Sequence, residues 1–331
     1  MLAKEFRPRK FSEVIGQQKN ILAFTKKAVE FDYPDVMFMV GPTGSGKTTS
    51  ALIIGATVNC KNPIMNEKGY VDPCMECSSC KSVLNETFNQ DIHFIKSSEM
   101  GKDDILELET LAASSPLWGG KKQVIIIDEA QNLTKGSKGA TLNLLEKKRK
   151  DTIFILCTMD ATAFDKSITS RGQVYTFKPL TTEEVGASIL KQLELIDPEE
   201  KLPFDTEALV LLAQNSFGSA RQACQYLDRC IDSELFTVKD IEKELSFISE
   251  VKAYSMVEKL LNKHPSFYDD LDTTTATAFY SYAWAVLASV YKSSLTLDQE
   301  DWKYKNSRKI LLNPNYDSLI EAFRNINLES M

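Results

Sequence analysis

Val36-Met37-Phe38-Met39-Val40-Gly41-Pro42-Thr43-Gly44-Ser45-Gly46-Lys47-Thr48 is the stretch on which the fold turns. Five apolar residues run into a glycine-rich turn, and a helical pattern follows. An unbroken apolar run of this length reads as a strand buried on both faces, as in parallel sheets whose connections are helices. The turn fits G-x-x-x-x-G-K-[ST] and stands where that pattern has a mechanism, between a strand end and a helix start. Gly41, Gly44 and Gly46, with Pro42, Thr43 and Ser45, let successive backbone N–H groups converge on one anion, and the helix N-terminus adds the positive end of its dipole. Lys47 can reach the β- and γ-phosphates, and the Thr48 hydroxyl, with Thr49 beside it, can ligate Mg²⁺. The ligand class is a nucleoside triphosphate, ATP or GTP.

Further along, Val124-Ile125-Ile126-Ile127 ends in Asp128-Glu129, and Ile153 to Cys157 is another short apolar run. A buried strand ending at Asp128 delivers paired carboxylates to the carboxyl edge of the sheet, where α/β sheets bind ligands. Asp128 can hold the Mg²⁺ shell and Glu129 can orient an attacking water. The expected fold class is therefore α/β with a parallel sheet. After Pro179 the pattern changes: Thr181 or Thr182, with Glu183 and Glu184, opens a helix, and helical spacing continues to the end. Three domains are expected, at 1–179, 180–245 and 246–331, with a loop over residues 263–277 inside the last.

The chain has 331 residues, 43% hydrophobic and 26% charged, which excludes collagen, coiled-coil rods and low-complexity chains. Its net charge of −7 is unevenly spread. Residues 1–180 carry 24 Lys and Arg against 21 Asp and Glu, whereas residues 181–331 carry 15 against 25. No run approaches the roughly 18 apolar residues of a membrane span, and Met1 to Lys10 is basic with no apolar stretch after it; a cytoplasmic location is expected. Of seven cysteines, Cys60, Cys74, Cys77 and Cys80 crowd together. Two overlapping C-x-x-C units with one distant Cys can close a tetrahedral Cys₄ site, suited to a structural Zn²⁺; an iron–sulfur cluster or unrelated thiols are the alternatives. Cys157, Cys224 and Cys230 fall on apolar faces as core residues.

Phe6-Arg7-Pro8-Arg9-Lys10-Phe11-Ser12-Glu13-Val14-Ile15-Gly16-Gln17 resembles the N-terminal segment of clamp-loader AAA+ subunits, Y-R-P-x-x-F-x-E-V-x-G-Q, with Phe6 in place of Tyr. The phosphate loop, the cysteine insert and the Asp-Glu pair follow in the order seen in the gamma/tau subunits of bacterial DNA polymerase III, and the resemblance runs from about residue 3 to 235. It implies an AAA+ ATPase domain, a helical lid and a helical collar that assembles subunits. Arg7, Pro8, Val14, Ile15 and Gly16 would contact the nucleotide. The resemblance also makes Thr158 a sensor near the γ-phosphate. Arg171, in Ser170-Arg171-Gly172, would be an arginine finger reaching a neighbouring subunit's ATP. Arg221, in Gly218-Ser219-Ala220-Arg221, would be a second sensor on its own subunit's ATP. The cysteines would hold zinc. The sequence departs from the family at Gly172, at Gln222 and at Lys147-Lys148-Arg149-Lys150, which fits a divergent, short member.

Implied partners are a sliding clamp, primer–template DNA and further loader subunits, expected as a hetero-pentamer, with no membrane. DNA phosphates need cations along a track, and Lys135, Lys138 and Lys102 are the candidates; the run Lys147 to Lys150 is not assigned to DNA. Ile105, Leu108, Leu111 and Pro116-Leu117-Trp118-Gly119-Gly120 could form a clamp contact or a core plug. A weakly hydrolysing structural subunit, or another AAA+ motor such as a branch-migration motor or helicase loader, are the alternatives.

Overall fold

The computed structural model describes residues 5–84, 91–116, 121–147, 151–160, 169–245, 247, 250–264, 283 and 302–321. Five strands form the main sheet: β1 (Val36–Val40), β4 (Ile92–Lys96), β5 (Gln123–Asp128), β6 (Thr152–Thr158) and β7 (Gln173–Thr176). Their order is β4-β5-β6-β1-β7 and every pairing is parallel. β6 therefore lies between the phosphate-loop strand and the strand that ends in Asp128. Val36 pairs with Phe154 and Val40 with Thr158, so β1 and β6 finish level with one another.

The apolar runs are continuous because both faces of the sheet are covered. Alternate residues sort to opposite sides. Met37 and Met39 of β1, and Val124 and Ile126 of β5, join one core with Phe24, Ile53 and Ile54. That face carries α1 (Gln18–Glu30) and α2 (Lys47–Val58). Val36, Phe38, Ile125 and Ile127 join the other core with Ile105, Leu108 and Leu144. There α4 (Lys102–Ala113) and α5 (Lys135–Glu146) supply the cover.

A small ribbon, β2 (Ile64–Met65) antiparallel to β3 (Val71–Asp72), precedes the short helix α3 (Ser78–Leu84). Tyr70 and Val71 belong to the first core. Asp72 is 5% exposed and accepts from Ser12 N–H (3.2 Å), Ser12 Oγ (2.6 Å) and Asn66 Nδ2 (3.2 Å).

The helix α6 (Thr182–Ile196) opens with Thr181 as N-cap, in a capping box with Glu184. The chain divides into two compact units, the first being Met1–Glu199 with Ser216–Asp228, and the second Glu200–Asn215 with Arg229–Met331. The helix α8 (Ala220–Asp232) runs across this division. Every other described element of the second unit is a helix: α7 (Thr206–Asn215), α9 (Val238–Leu245), α10 (Glu250–Leu261) and α11 (Trp302–Leu311). Its core holds Tyr254, Met256, Val257, Leu261 and Ile310, with Tyr254 Oη and Ser307 Oγ 3.1 Å apart inside it.

Candidate functional site

A cavity of about 570 Å³ opens at the carboxyl edge of the sheet, and every residue lining it belongs to the first unit. Its size is that of a small-molecule site. The floor is the phosphate loop. Gly41 N–H donates to Thr158 O (3.1 Å) and Phe177 N–H to Val40 O (2.7 Å), so the loop leaves the sheet between its two parallel neighbours. A Cβ on Gly41 would stand 2.3 Å from Phe177 O, and one on Gly44, whose φ is +76°, would stand 1.9 Å from Ser219 Oγ. Neither position accepts a side chain.

Lys47 is buried, and its Nζ donates to Gly41 O (2.7 Å) and Pro42 O (2.8 Å). The ammonium is folded onto the loop's own carbonyls, inside the curve where phosphate oxygens would sit. Burial pushes its pKa below the usual range, and the Asp128 and Glu129 carboxylates counter part of that. Thr48 Oγ1 donates to Asp128 Oδ1 at 3.0 Å. Two hard oxygen donors from distant parts of the chain thus meet beside the phosphate loop, and this donor set fits Mg²⁺. Glu129 is exposed, with φ at 51°, and its backbone carbonyl accepts from Ser97 Oγ beyond the end of β4. Its carboxylate accepts from Asn132 Nδ2 at 3.3 Å. The Thr158 hydroxyl, at the end of β6, donates to Asp160 O at 3.0 Å. Arg221, exposed at the start of α8, completes this end of the cavity.

Arg7, Pro8, Val14 and Ile15 from the N-terminal segment also line the cavity. Gln17 stitches that segment to the exit of β7: its Nε2 donates to Lys178 O (2.6 Å) and its Oε1 accepts from Lys178 N–H (3.2 Å). Thr43, Gly44, Ser45, Gly46, Lys47, Thr48, Thr49, Asp128, Glu129, Thr158 and Arg221 all line the cavity, whereas Gly16, Gly41 and Pro42 shape the backbone behind it. Reading by motif missed Gln131, Met159 and one face of α6, namely Ser188, Lys191, Gln192 and Leu195. Their i, i+3, i+4, i+7 spacing was the available signal, but it marks any buried helix face.

Arg171 stands elsewhere. Val36, Thr152 and Phe154, which surround it, lie at the amino ends of β1 and β6, so Arg171 is at the sheet edge opposite the cavity. Its guanidinium pairs with Glu146 Oε1 at 2.9 Å. A Cβ at Gly172 would meet Val36 O at 2.5 Å, which accounts for glycine at this departure from the family pattern.

Cys60, Cys74, Cys77 and Cys80 bring four sulfur atoms within 4.8 Å of one another. Cys74 N–H donates to Cys60 Sγ (3.2 Å) and Cys77 N–H to Cys74 Sγ (3.4 Å), as thiolates require. At a Zn–S bond near 2.3 Å a tetrahedron needs sulfurs about 3.8 Å apart, and the Cys74–Cys80 and Cys77–Cys80 separations are 4.0 and 3.4 Å. The donor set fits zinc, with no position left for a reacting ligand. Cys157, Cys224 and Cys230 are buried.

Lys138 is half-buried on α5. Lys102 and Lys135 open α4 and α5, but their side chains lie outside the described residues, as do Leu117 to Gly120 and Lys148 to Lys150. No helix among the described residues is long and apolar enough to cross a membrane.

A parallel sheet in this order, with a phosphate loop after one strand and an acidic pair after the next strand but one, defines an α/β AAA+ nucleotide-binding domain. The fold is shared with the Thermotoga maritima RuvB Holliday junction branch migration motor, at a TM-score of 0.53 and 17% identity over 85% of this chain and 91% of that one. Residues 16–181 match the family model described as "DNA polymerase III, delta subunit", and the chain belongs to that family, as a divergent clamp-loader subunit. It is 30% identical over 263 residues to the DNA polymerase III subunit gamma/tau of Mycoplasma genitalium, covering 78% of this chain and 42% of that protein. It is 28% identical over 274 residues to the DNA polymerase III subunit tau of Bacillus subtilis, covering 82% and 46%. The chain thus spans less than half the length of these two relatives.

Proposed function

We propose that this chain is an ATP-hydrolysing subunit of a DNA sliding-clamp loader, working in the bacterial cytoplasm or in a phage-infected cell. The observation that carries the reading is the separation of Arg171 from its own cavity by the depth of the sheet. An arginine there cannot reach its own nucleotide, so any nucleotide it serves is a neighbour's, which suits an assembly of AAA+ subunits. Its planar, permanently charged donors match the charge that develops on a transferring phosphoryl group.

Within one subunit, ATP displaces the Lys47 ammonium from the carbonyls of Gly41 and Pro42, and Lys47 turns to the β- and γ-phosphates. Thr48 and Asp128 would hold Mg²⁺, which neutralises phosphate charge. Glu129, exposed at the mouth, orients the attacking water. Thr158 and Arg221 report the γ-phosphate. Zinc on the four cysteines would be structural. The domains are proposed at 1–179 for nucleotide binding, 180–245 for a lid and 246–331 for an oligomerising collar. Lys102, Lys135 and Lys138 are proposed contacts to DNA phosphates.

The test is ATP turnover by the chain assembled with its partner subunits, with and without clamp and primed DNA. The reading requires stimulation when both are present. Equal turnover with and without them refutes it.

A further inference from the structure

Gln192 carries a buried acceptor with nothing to accept. The residue is 8% exposed, and its Oε1 has no hydrogen-bond partner. Its Nε2 donates to Ser188 Oγ, one helical turn earlier, at 3.2 Å. Both residues line the nucleotide cavity from α6. A buried acceptor left unpaired is destabilising, and in a ligand cavity such a group is accounted for when the ligand brings the donor.

The surroundings say which part of a nucleotide that is. Lys191 Nζ, next to Gln192 on α6, donates to Glu13 O at 3.4 Å, so this helix face stands against the N-terminal segment, and Pro8, Val14, Ile15, Leu180 and Leu195 are apolar residues lining the same cavity. A flat base face suits such walls, whereas the charged phosphates belong on the loop of backbone N–H groups. Adenine presents a donor at its 6-position and guanine presents an oxygen acceptor there.

We propose that Gln192 Oε1 accepts a hydrogen bond from the 6-amino group of adenine and makes this site select ATP over GTP, an assignment that rests on the cavity being a nucleoside triphosphate site. Against guanine, two acceptors face each other in a dry wall, with no proton between them. In the structure Ser188 Oγ takes up the amide N–H₂, which leaves Oε1 as the end that faces the base.

The test is equilibrium binding of three triphosphates to the full chain: ATP, purine riboside triphosphate, which has hydrogen at position 6, and inosine triphosphate, which has oxygen there. The unsubstituted protein should bind ATP about tenfold more tightly than purine riboside triphosphate, one hydrogen bond's worth, and inosine triphosphate more weakly still. In Gln192→Met the first two should converge to within about twofold, since neither then has a partner at position 6. The readout is a ratio of two ligands on one preparation, so a partly unfolded sample does not move it, and Gln192→Ala gives the same comparison if methionine is too bulky. An ATP advantage that survives in both variants overturns the proposal. So does an unsubstituted protein that binds inosine triphosphate as tightly as ATP. Failure to bind any triphosphate overturns the nucleotide reading itself, and this assignment with it.

Discussion

Replacing Arg171 by alanine should separate stability, binding and turnover cleanly. Its pair with Glu146 joins side chains 47% and 41% exposed, at 2.9 Å. Exposed pairs contribute about 0.2 to 1 kcal/mol, so the melting temperature should fall by no more than a few degrees. Arg171 is absent from the cavity lining, so ATP affinity of the isolated chain should stay the same. Turnover in the assembly should collapse. An arginine supplied in trans is worth about 10³ to 10⁵ in rate, equivalent to roughly 4 to 7 kcal/mol of barrier at 1.36 kcal/mol per decade. A mixture makes the geometry decisive. Arg171→Ala chains keep their own Glu129, and Glu129→Gln chains keep their arginine, so co-assembled they should regain phosphate release that neither shows alone. The assay is steady-state phosphate release with clamp and primed DNA. A mixture no more active than its separate components, or weaker ATP binding by isolated Arg171→Ala, refutes the argument.

Cys77→Ser removes one of four sulfur donors, and zinc per chain, measured by elemental mass spectrometry, should fall to background; full retention contradicts the Cys₄ assignment. Ile126→Ala empties a fully buried place in the core beneath α1 and α2 and should cost about 2 to 5 kcal/mol in urea unfolding; a loss under 1 kcal/mol would mean that the core collapses around it. Burial pushes the Cys224 and Cys230 thiols up to about 11 from an ordinary 9. The unfolded chain therefore loses these protons first, and the stability present below pH 9 should decline as pH rises toward 11. The double variant Cys224→Ala/Cys230→Ala should show a shallower decline in alkaline melts than the parent; an identical slope refutes this.

What could be seen before the structure was whatever a backbone motif or a charge announces. Val36–Val40, Val124–Ile127 and Ile153–Cys157 were legible as strands because burial on both faces leaves no room for polar residues. The strand β7 was not, since three of its four residues, Gln173, Val174 and Thr176, are exposed. Lys47, Thr48, Asp128 and Glu129 were legible because phosphate and metal chemistry restricts the residue types at those positions. Gln192 was not, because an amide on an apolar helix face means nothing until its oxygen is seen without a partner. Gly172 departs from the family pattern, and its physical reason, the close approach of Val36 O, is a contact between distant residues that no local pattern carries. The charge asymmetry between the halves pointed to division of labour, but it could not say that α8 would run from one compact unit into the other.

Asp72 has a consequence for anyone wishing to simplify the chain. Lying between the phosphate-loop helix and β4, the cysteine-rich excursion looks like an ornament that could be trimmed to a short loop, or grafted whole onto another host. Neither would succeed. The carboxylate of Asp72 holds Ser12 by both its backbone N–H and its hydroxyl, Gln18 is tied to Tyr70, and Tyr70 and Val71 fill the main core. Excision would unpick the N-terminal strap that walls the cavity, and transplantation would leave two core side chains without a host. The excursion is woven into its domain, and neither part keeps its packing without the other.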